Sequence, residues 1–314
     1  MKIVFFGSSD FGVAILEALK DKEDVALVVT QPDRKRGRSL KLCATPVKEA
    51  ADRLGIKTFQ PEDVNSRDSI GSIKGLKPEL FIVVSFGEIL SRELLDTPGV
   101  FSINVHASLL PSYRGAAPIN WVLANGEKET GVTIIKMNER MDEGEIILKE
   151  ACSIDSSEDA ISLSKRLSIK AVLALLHSID LIKKKEVSFT EQDKTKVTYA
   201  PKLKRIDGLI DWGWSAEKIY NRVRAFVPWP VCFTHWGKRV LKIWKANPER
   251  GLLAADSSPG MVLDATKDGI FVGTGEGILG IKELQMEGKR RMSAGEFIAG
   301  HKDMGKGTLF LLQE

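Results

Sequence analysis

Residues 2–30, KIVFFGSSDFGVAILEALKDKEDVALVVT, have the pattern of one repeating unit of an open α/β sheet. Lys2 to Phe6 is a short apolar run, Phe11 to Leu19 has helical spacing of apolar residues, and Val25 to Thr30 is a second apolar run. Continuous apolar runs are typical of parallel strands buried on both faces. The segment therefore predicts a β-α-β unit.

The alternation of strands and helices continues to about residue 183. Further strands are predicted at 80–85, 101–106, 132–136 and 146–153, and further helices near 46–54, 93–95 and 158–183. This alternation predicts a doubly wound, mostly parallel, Rossmann-like α/β sheet. We expect residues 1–182 to form this domain.

Residues 183–205 break the periodicity with a lysine run, polar residues and Pro201, so they are predicted to be a basic linker. Beyond them, a helix at 216–226 precedes short β-rich runs that are separated by glycine-containing turns. Many short strands with such turns favour a small barrel. We therefore expect residues 206–314 to form a smaller C-terminal OB-like β-barrel domain.

Composition excludes several classes of protein. The chain has 314 residues, a net charge of +4 and three scattered cysteines, which favours two globular domains without a disulfide framework or a metal site. Met1 leads directly into an apolar strand, with no transit segment and no run long enough to span a membrane. We expect a cytoplasmic protein, and a monomer.

The glycine turn after the first strand argues against a nicotinamide cofactor. Gly7 and Gly12 are spaced G-x-x-x-x-G, so the central glycine that admits a dinucleotide pyrophosphate is missing. A tight strand-to-helix turn is the simpler interpretation.

Asn104 and His106 are the first candidates for chemistry. They are two residues apart on a predicted strand and so lie on one face, at the carboxyl end where α/β sheets open their ligand crevice. A hydrogen-bonded polar pair that ends a strand is the alternative. The acidic loop 137–144 would by itself be an ordinary solvated turn.

Several motifs together resemble the folate-dependent formyltransferase family over nearly the whole chain. They are Asn-x-His at 104–106, Ser-Leu-Leu-Pro at 108–111, Arg-Gly-Ala-Ala-Pro-Ile at 114–119, Gly-Val-Thr-Ile at 131–134, Met-Asp-x-Gly at 141–144, Gln-Pro-Asp-Arg at 31–34 and Arg-Ala-Phe-Val-Pro-Trp-Pro at 224–230. The resemblance implies transfer of a formyl group from 10-formyltetrahydrofolate to an amine, without a metal. It also implies that Asn104, His106 and Asp142 are catalytic. The same resemblance places the folate site beside Ser108, Leu109, Leu110 and Pro111.

The residue chemistry agrees with that implication. An α-amine has a pKa of about 8 and attacks well once neutral, so no covalent nucleophile is needed, and no G-x-S-x-G elbow is present. Our hypothesis is direct attack of the amine on the formyl carbon. Asn104 and His106 would then donate to the oxyanion, while Asp142 would hold the imidazolium and assist proton transfer to the folate nitrogen.

Basic segments suggest the acceptor. Residues 33–49 hold six basic and two acidic side chains, residues 183–205 hold eight and three, and residues 206–250 hold eight and four. A tRNA backbone suits such segments. The resemblance implies that the acceptor is initiator methionyl-tRNA. The resemblance implies that a basic loop contacts it through Arg34, Lys35, Arg36, Arg38 and Lys41, with Arg38 near the first base pair. For any one lysine, ordinary solvated surface is the default.

Three other functions stay open. A formyltransferase for a small amine, such as an amino sugar nucleotide or glycinamide ribotide, or a folate hydrolase, would share the three catalytic residues but would not need the basic loop or the barrel. A non-enzymatic tRNA-binding protein would leave Asn104, His106 and Asp142 without a purpose.

Overall fold

The computed structural model describes residues 1–36, 41–249 and 258–311. The chain divides into two compact units. The first comprises Met1–Pro118, Glu129–Ile154 and Ser164–Pro201, and the second comprises Ile119–Lys128, Asp155–Leu163 and Lys202–Glu314. Division into a catalytic domain 1–182, a linker 183–205 and a barrel domain 206–314 stays a prediction.

The first part of the chain alternates strands with helices, as the apolar pattern predicts. In chain order the elements are β1 (Lys2–Gly7), α1 (Asp10–Lys20), β2 (Asp24–Val29), β3 (Arg34–Arg36), β4 (Lys41–Cys43), α2 (Pro46–Arg53), β5 (Thr58–Phe59), α3 (Arg67–Lys74), β6 (Leu80–Val84), α4 (Arg92–Leu95), β7 (Phe101–His106), α5 (Pro118–Ala124), β8 (Glu129–Lys136), β9 (Glu145–Ser153) and α6 (Ala160–Lys184).

Seven of these strands form one sheet, in the order β5-β2-β1-β6-β7-β8-β9. The first five are parallel, whereas β8 pairs antiparallel with both β7 and β9. All five residues of β6 are buried, because helices cover both faces of a parallel sheet. The predicted mostly parallel, Rossmann-like sheet is confirmed.

The sheet register determines where the candidate site lies. Asn104 on β7 stands beside Val83 on β6 and opposite Ile135 on β8. Since β6 and β7 are parallel, their carboxyl ends meet at one edge of the sheet, and the segments that follow them converge there.

The second unit is built on an antiparallel sheet. Its elements after residue 202 are a 3-10 helix (Arg205–Gly208), α7 (Ala216–Ala225), β10 (Cys232–Trp236), β11 (Arg239–Glu249), β12 (Val262–Thr266), β13 (Gly269–Gly273), β14 (Ile278–Met286), β15 (Met292–Ser293) and α8 (Ala294–Gly300). Their order is β10-β11-β14-β13-β12, with β15 also on β14.

The two edge strands of this sheet are joined by the end of the described chain. Leu311 exchanges both backbone hydrogen bonds with His235 on β10, and Phe310 donates to the Gly260 carbonyl beside β12. The sheet is thereby closed, and the predicted C-terminal barrel is confirmed.

Among the residues described, no helix combines the length and the apolar character that crossing a membrane requires.

Candidate active site

Asp142 is the centre of a hydrogen-bonded group at the carboxyl edge of the sheet. Asn104 Nδ2 donates to its Oδ1 at 3.0 Å, and the backbone N–H of Gly115 donates to its Oδ2 at 2.8 Å. His106 Nδ1 lies 3.5 Å from the same Oδ2. The structure thus brings the three predicted catalytic side chains together, although Asp142 is 38 residues from Asn104.

His106 faces an acceptor on each side of its ring. Nε2 lies 2.9 Å from the carbonyl oxygen of Tyr113, and Nδ1 faces the carboxylate of Asp142. A carbonyl and a carboxylate only accept, so a singly protonated ring can satisfy one of them and only an imidazolium can donate to both. The side chain is 6% exposed, which limits competition from water. Both ring nitrogens of His106 thus face hydrogen-bond acceptors in a largely buried site.

The backbone around these side chains is under steric restraint. Tyr113 and Asp142 have φ values of 62° and 54°, in the left-handed region that ordinary residues rarely adopt. Gly115 has a φ of 124°, and a Cβ at that position would lie 2.6 Å from the carbonyl oxygen of Ala200. The glycine of the Arg-Gly motif at 114–115 is therefore required by the backbone conformation.

A cavity of ≈ 340 Å³ opens directly beside this group. Asn104, His106 and Asp142 line it, together with the loop after β6 and the loop after β8. Its remaining walls are mostly apolar, from residues that include Val83, Phe86, Ile89, Leu90, Ile135 and Met137. Such a site suits a ligand that packs apolar surface against these walls and presents its reactive atom to the polar group.

Residues 85–90 are the part of the cavity wall that the motifs do not predict. Ser85 to Leu90 all line the cavity, and Glu88 also accepts a hydrogen bond from Gln31 Nε2 at 2.6 Å. The signal available in the sequence was their position, because they follow the apolar strand β6 at the same edge as Asn104.

The loop Ser108–Pro111, expected to border the folate site, is not among the residues that line the cavity. Ser108 and Leu110 are fully buried, and both bond through their backbones to the Thr133 hydroxyl on β8, at 2.7 and 3.1 Å. Ser108 Oγ also donates to the Ser112 carbonyl at 2.6 Å. The loop therefore supports the chain segment that ends at Tyr113, and direct folate contact by Ser108, Leu109, Leu110 or Pro111 stays a prediction.

The basic segment after β2 forms a short antiparallel hairpin of β3 and β4. Arg34, Lys35 and Lys41 are exposed on it, whereas Arg38 and the side chain of Arg36 lie outside the described residues. Asp33, just before the hairpin, accepts hydrogen bonds from Gln60 and Lys48, which lower the pKa of its carboxyl group. These bonds hold the residue that precedes the hairpin against Lys48 on α2 and Gln60 after β5.

Within the described ranges, no group of three or more histidine, cysteine, aspartate or glutamate side chains is arranged to hold a metal ion.

Sequence comparisons identify the class of protein to which this α/β sheet, its Asn-His-Asp group and the C-terminal barrel belong. The Formyl transferase model matches residues 1–179, and the Formyl transferase, C-terminal domain model matches residues 202–302. The chain therefore belongs to the formyl transferase family.

Within that family, curated relatives indicate one particular enzyme. The methionyl-tRNA formyltransferase of Geobacter metallireducens is 44% identical over 301 residues, 96% of each chain. A solved methionyl-tRNA formyltransferase from Clostridium thermocellum has a TM-score of 0.55 and 17% identity, covering 80% of this chain and 95% of its own. An N-formyltransferase from Helicobacter canadensis, solved with folinic acid and dTDP-3-aminofucose, has a TM-score of 0.66 and 19% identity, covering 90% and 99%. Both structural likenesses concern the fold alone.

Proposed function

We propose that this chain transfers the formyl group of 10-formyltetrahydrofolate to the α-amino group of methionyl initiator tRNA. The observation that carries the proposal is the joining of Asn104, His106 and Asp142 at one end of an apolar cavity, in a chain 44% identical to a methionyl-tRNA formyltransferase over 96% of its length. We expect it to act as a monomer in the cytoplasm.

The reaction needs no covalent enzyme intermediate. The neutral amine attacks the formyl carbon and forms the new C–N bond, and the carbonyl electron pair moves to oxygen. The bond from carbon to the folate nitrogen then breaks, the amine loses one proton and the folate nitrogen gains one. The chemical demands on the protein are therefore an oxyanion donor, a positive charge and a route for one proton.

Asn104 supplies the oxyanion donor in this proposal. Its amide nitrogen has two N–H groups, and Asp142 accepts one of them at 3.0 Å. That bond fixes the plane of the amide, so the second N–H is held in one direction before the substrate arrives. Prior orientation of this kind is why such donors are worth about 3 kcal/mol each.

His106 and Asp142 supply charge and proton transfer. An imidazolium held between Asp142 and the Tyr113 carbonyl stabilises a neighbouring oxyanion through its positive charge. Asp142 keeps that charge in place and, either directly or through water, carries the proton that leaves the amine. The carboxylate is only 10% exposed, so its interaction with His106 is weakly screened.

The apolar cavity is the proposed site for the pterin end of the folate. A pterin is flat and apolar on its faces but polar at its edge, and the cavity pairs apolar walls from Phe86, Leu90 and Ile135 with polar groups such as Glu88 and Asn138. Placement there would bring the formyl group towards Asn104.

The exposed basic hairpin is the proposed tRNA contact, through Arg34, Lys35, Arg36, Arg38 and Lys41. Exposed arginine and lysine side chains on a short hairpin suit phosphate contacts along an acceptor stem. A small-amine formyltransferase remains the second candidate because of the likeness in fold to the Helicobacter canadensis enzyme. The hairpin favours the tRNA, since a small amine would not require it.

Replacement of Asn104 tests the site directly. Asn104→Ala removes the proposed oxyanion donor, and kcat for formyl transfer should fall by about 10²- to 10³-fold. Binding of the reduced folate, measured by calorimetry, should change little because the cavity walls remain. Near-normal kcat in a folded Asn104→Ala chain would remove Asn104 from the catalytic group.

A further inference from the structure

Gln192 follows α6 in the chain and belongs to the first unit, in a segment that contributes no side chain to the cavity described above. Its amide is 8% exposed and donates two hydrogen bonds, to the carbonyl oxygens of Asp142 and Gly144, each at 2.8 Å. We propose that Gln192 is a positioning residue, which holds the turn carrying Asp142 in its catalytic geometry. The inference rests on the proposed function of Asp142.

The orientation of the Gln192 amide is fixed by its other partner. Oε1 accepts from Arg114 Nε at 3.1 Å and from Arg114 Nη2 at 2.8 Å. A guanidinium only donates and a backbone carbonyl only accepts, so the amide nitrogen must face the turn. Arg114 is itself 4% exposed, and Glu143 within the same turn lies 3.6 Å from Arg114 Nη1. Gln192 therefore contacts the turn through the Asp142 and Gly144 carbonyls, and Arg114 contacts it through Glu143.

The turn needs such support because its backbone is strained. Asp142 has a φ of 54°, in the left-handed region, which residues with a Cβ rarely adopt although aspartate does so more readily than most. Gly144 is equally restricted, since a Cβ there would overlap the Lys136 carbonyl oxygen. Without the two bonds from Gln192, the turn could relax and move the carboxylate away from Asn104 and His106.

The same segment also supports the loop on the other side of His106. Arg114 N donates to the Thr198 carbonyl at 2.9 Å, Ala200 N donates to the Arg114 carbonyl at 2.7 Å, and Tyr113 N donates to Thr198 Oγ1 at 2.8 Å. The Tyr113 carbonyl faces His106 Nε2, and the Asp142 carboxylate faces Nδ1. Residues 192–200 therefore contact the backbone that carries each of these two groups. Gln192 is the member of this segment that acts on Asp142.

Gln192→Glu removes the two donated hydrogen bonds and adds a negative charge beside Arg114. A glutamate keeps the side-chain length and the bond from Arg114 but cannot donate to the two carbonyls. We expect kcat for formyl transfer to methionyl-tRNA to fall by about 10- to 100-fold, the range for misplacement of a catalytic group, with KM for the tRNA within about threefold. The matched control is Glu191→Gln, a change of opposite chemistry at the exposed neighbouring residue, which should retain full kcat.

A double-mutant cycle with Asp142→Asn separates positioning from general stability. If Gln192 acts through Asp142, adding Gln192→Glu to Asp142→Asn should lower the residual kcat by less than about threefold. Equal losses in both backgrounds, or wild-type kcat in Gln192→Glu, would overturn the inference. If Gln192→Glu does not fold, Gln192→Ala enters the same cycle with the same criteria. Failure of the proposed function would be seen separately, as absence of transfer by the unmodified chain.

Discussion

Two backbone positions decide whether Asp142 can reach its partners. Gly115 donates its N–H to the carboxylate, and Gly144 follows the turn that carries it. At each position a Cβ would meet a backbone carbonyl, of Ala200 and Lys136 respectively, and backbone cannot move aside as a flexible side chain can. The geometry of the catalytic carboxylate therefore depends on glycine at both sites.

Gly144→Ala should impair both folding and turnover. Overlap with the Lys136 carbonyl should lower the free energy of unfolding by about 1–3 kcal/mol and shift the Asp142 turn, so kcat should fall as well. The matched control is Gly71→Ala on α3, where a Cβ meets nothing within 4 Å and helix propensity should raise stability by about 0.5–1 kcal/mol. Thermal unfolding and kcat are measured for both variants. Equal stability of Gly144→Ala and Gly71→Ala would contradict the steric argument.

For single residues, the sequence predicts which near neighbours in one strand share a face, but not contacts between residues far apart in the chain. The two-residue spacing of Asn104 and His106 places both on one face, and both line the cavity. Gln192 could not be found in this way, because it lies in a segment without periodicity and its partners are 48 and 50 residues away.

Among the elements, the β3–β4 hairpin presents exposed basic side chains with few partners. Arg34 and Lys35 are exposed on β3, and Arg34 has one long hydrogen bond, to Gln31 at 3.5 Å. Side chains with so few internal partners are available to phosphate groups.

Replacing Arg34 and Lys35 together by alanine should weaken tRNA use without affecting chemistry. We expect KM for methionyl-tRNA to rise about tenfold, kcat to stay unchanged, and the salt dependence of log(kcat/KM) to become shallower by about 1–2. Arg67→Ala with Lys74→Ala, an equal loss of charge from exposed positions on α3, is the control. A similar change of KM in both double variants would indicate an effect of net charge alone.

Elements with a clear apolar pattern are well predicted from sequence, and elements without one are not. The continuous apolar strands β1, β2 and β6 follow directly from their composition. By contrast, α3 is not predicted because it has only two apolar residues and an internal glycine, Gly71. The apolar segment α5 shows no polar face, and the polar strands of the hairpin have no apolar signal. The hairpin is defined by the backbone pairing of β3 with β4, which the sequence pattern does not reveal.

On the scale of the whole molecule, each unit has its own core. In the second unit, Trp212 is 4% exposed and stacks on Phe310 at a centroid distance of 5.7 Å. Glycine-punctuated β runs predict a barrel, but its closure by residues 307–311 depends on contacts with strands up to 76 residues away in sequence, such as that between Leu311 and His235. Such closure has no local signal.

Cys232 offers a probe for unfolding of the second unit. Burial raises the pKa of its thiol to about 12, and the side chain is 1% exposed, whereas Cys43 and Cys152 are partly exposed. At pH 8 about one thiol in 10⁴ would be ionised, and only the thiolate reacts. In a Cys43→Ser, Cys152→Ser chain, iodoacetamide should label Cys232 only as the barrel unfolds. Labelling of the native chain at the rate of a free thiol would show that the barrel opens readily.

The most direct test is formyl transfer from 10-formyltetrahydrofolate, measured in parallel for methionyl initiator tRNA, methionyl elongator tRNA and a dTDP-linked amino sugar. His106→Ala is the control for the site. We expect rapid transfer to the initiator tRNA, little to the elongator tRNA or the sugar, and a loss of at least about 10²-fold in the variant. Transfer to the amino sugar but to neither tRNA would contradict the proposed function, and full activity of His106→Ala would contradict the proposed site.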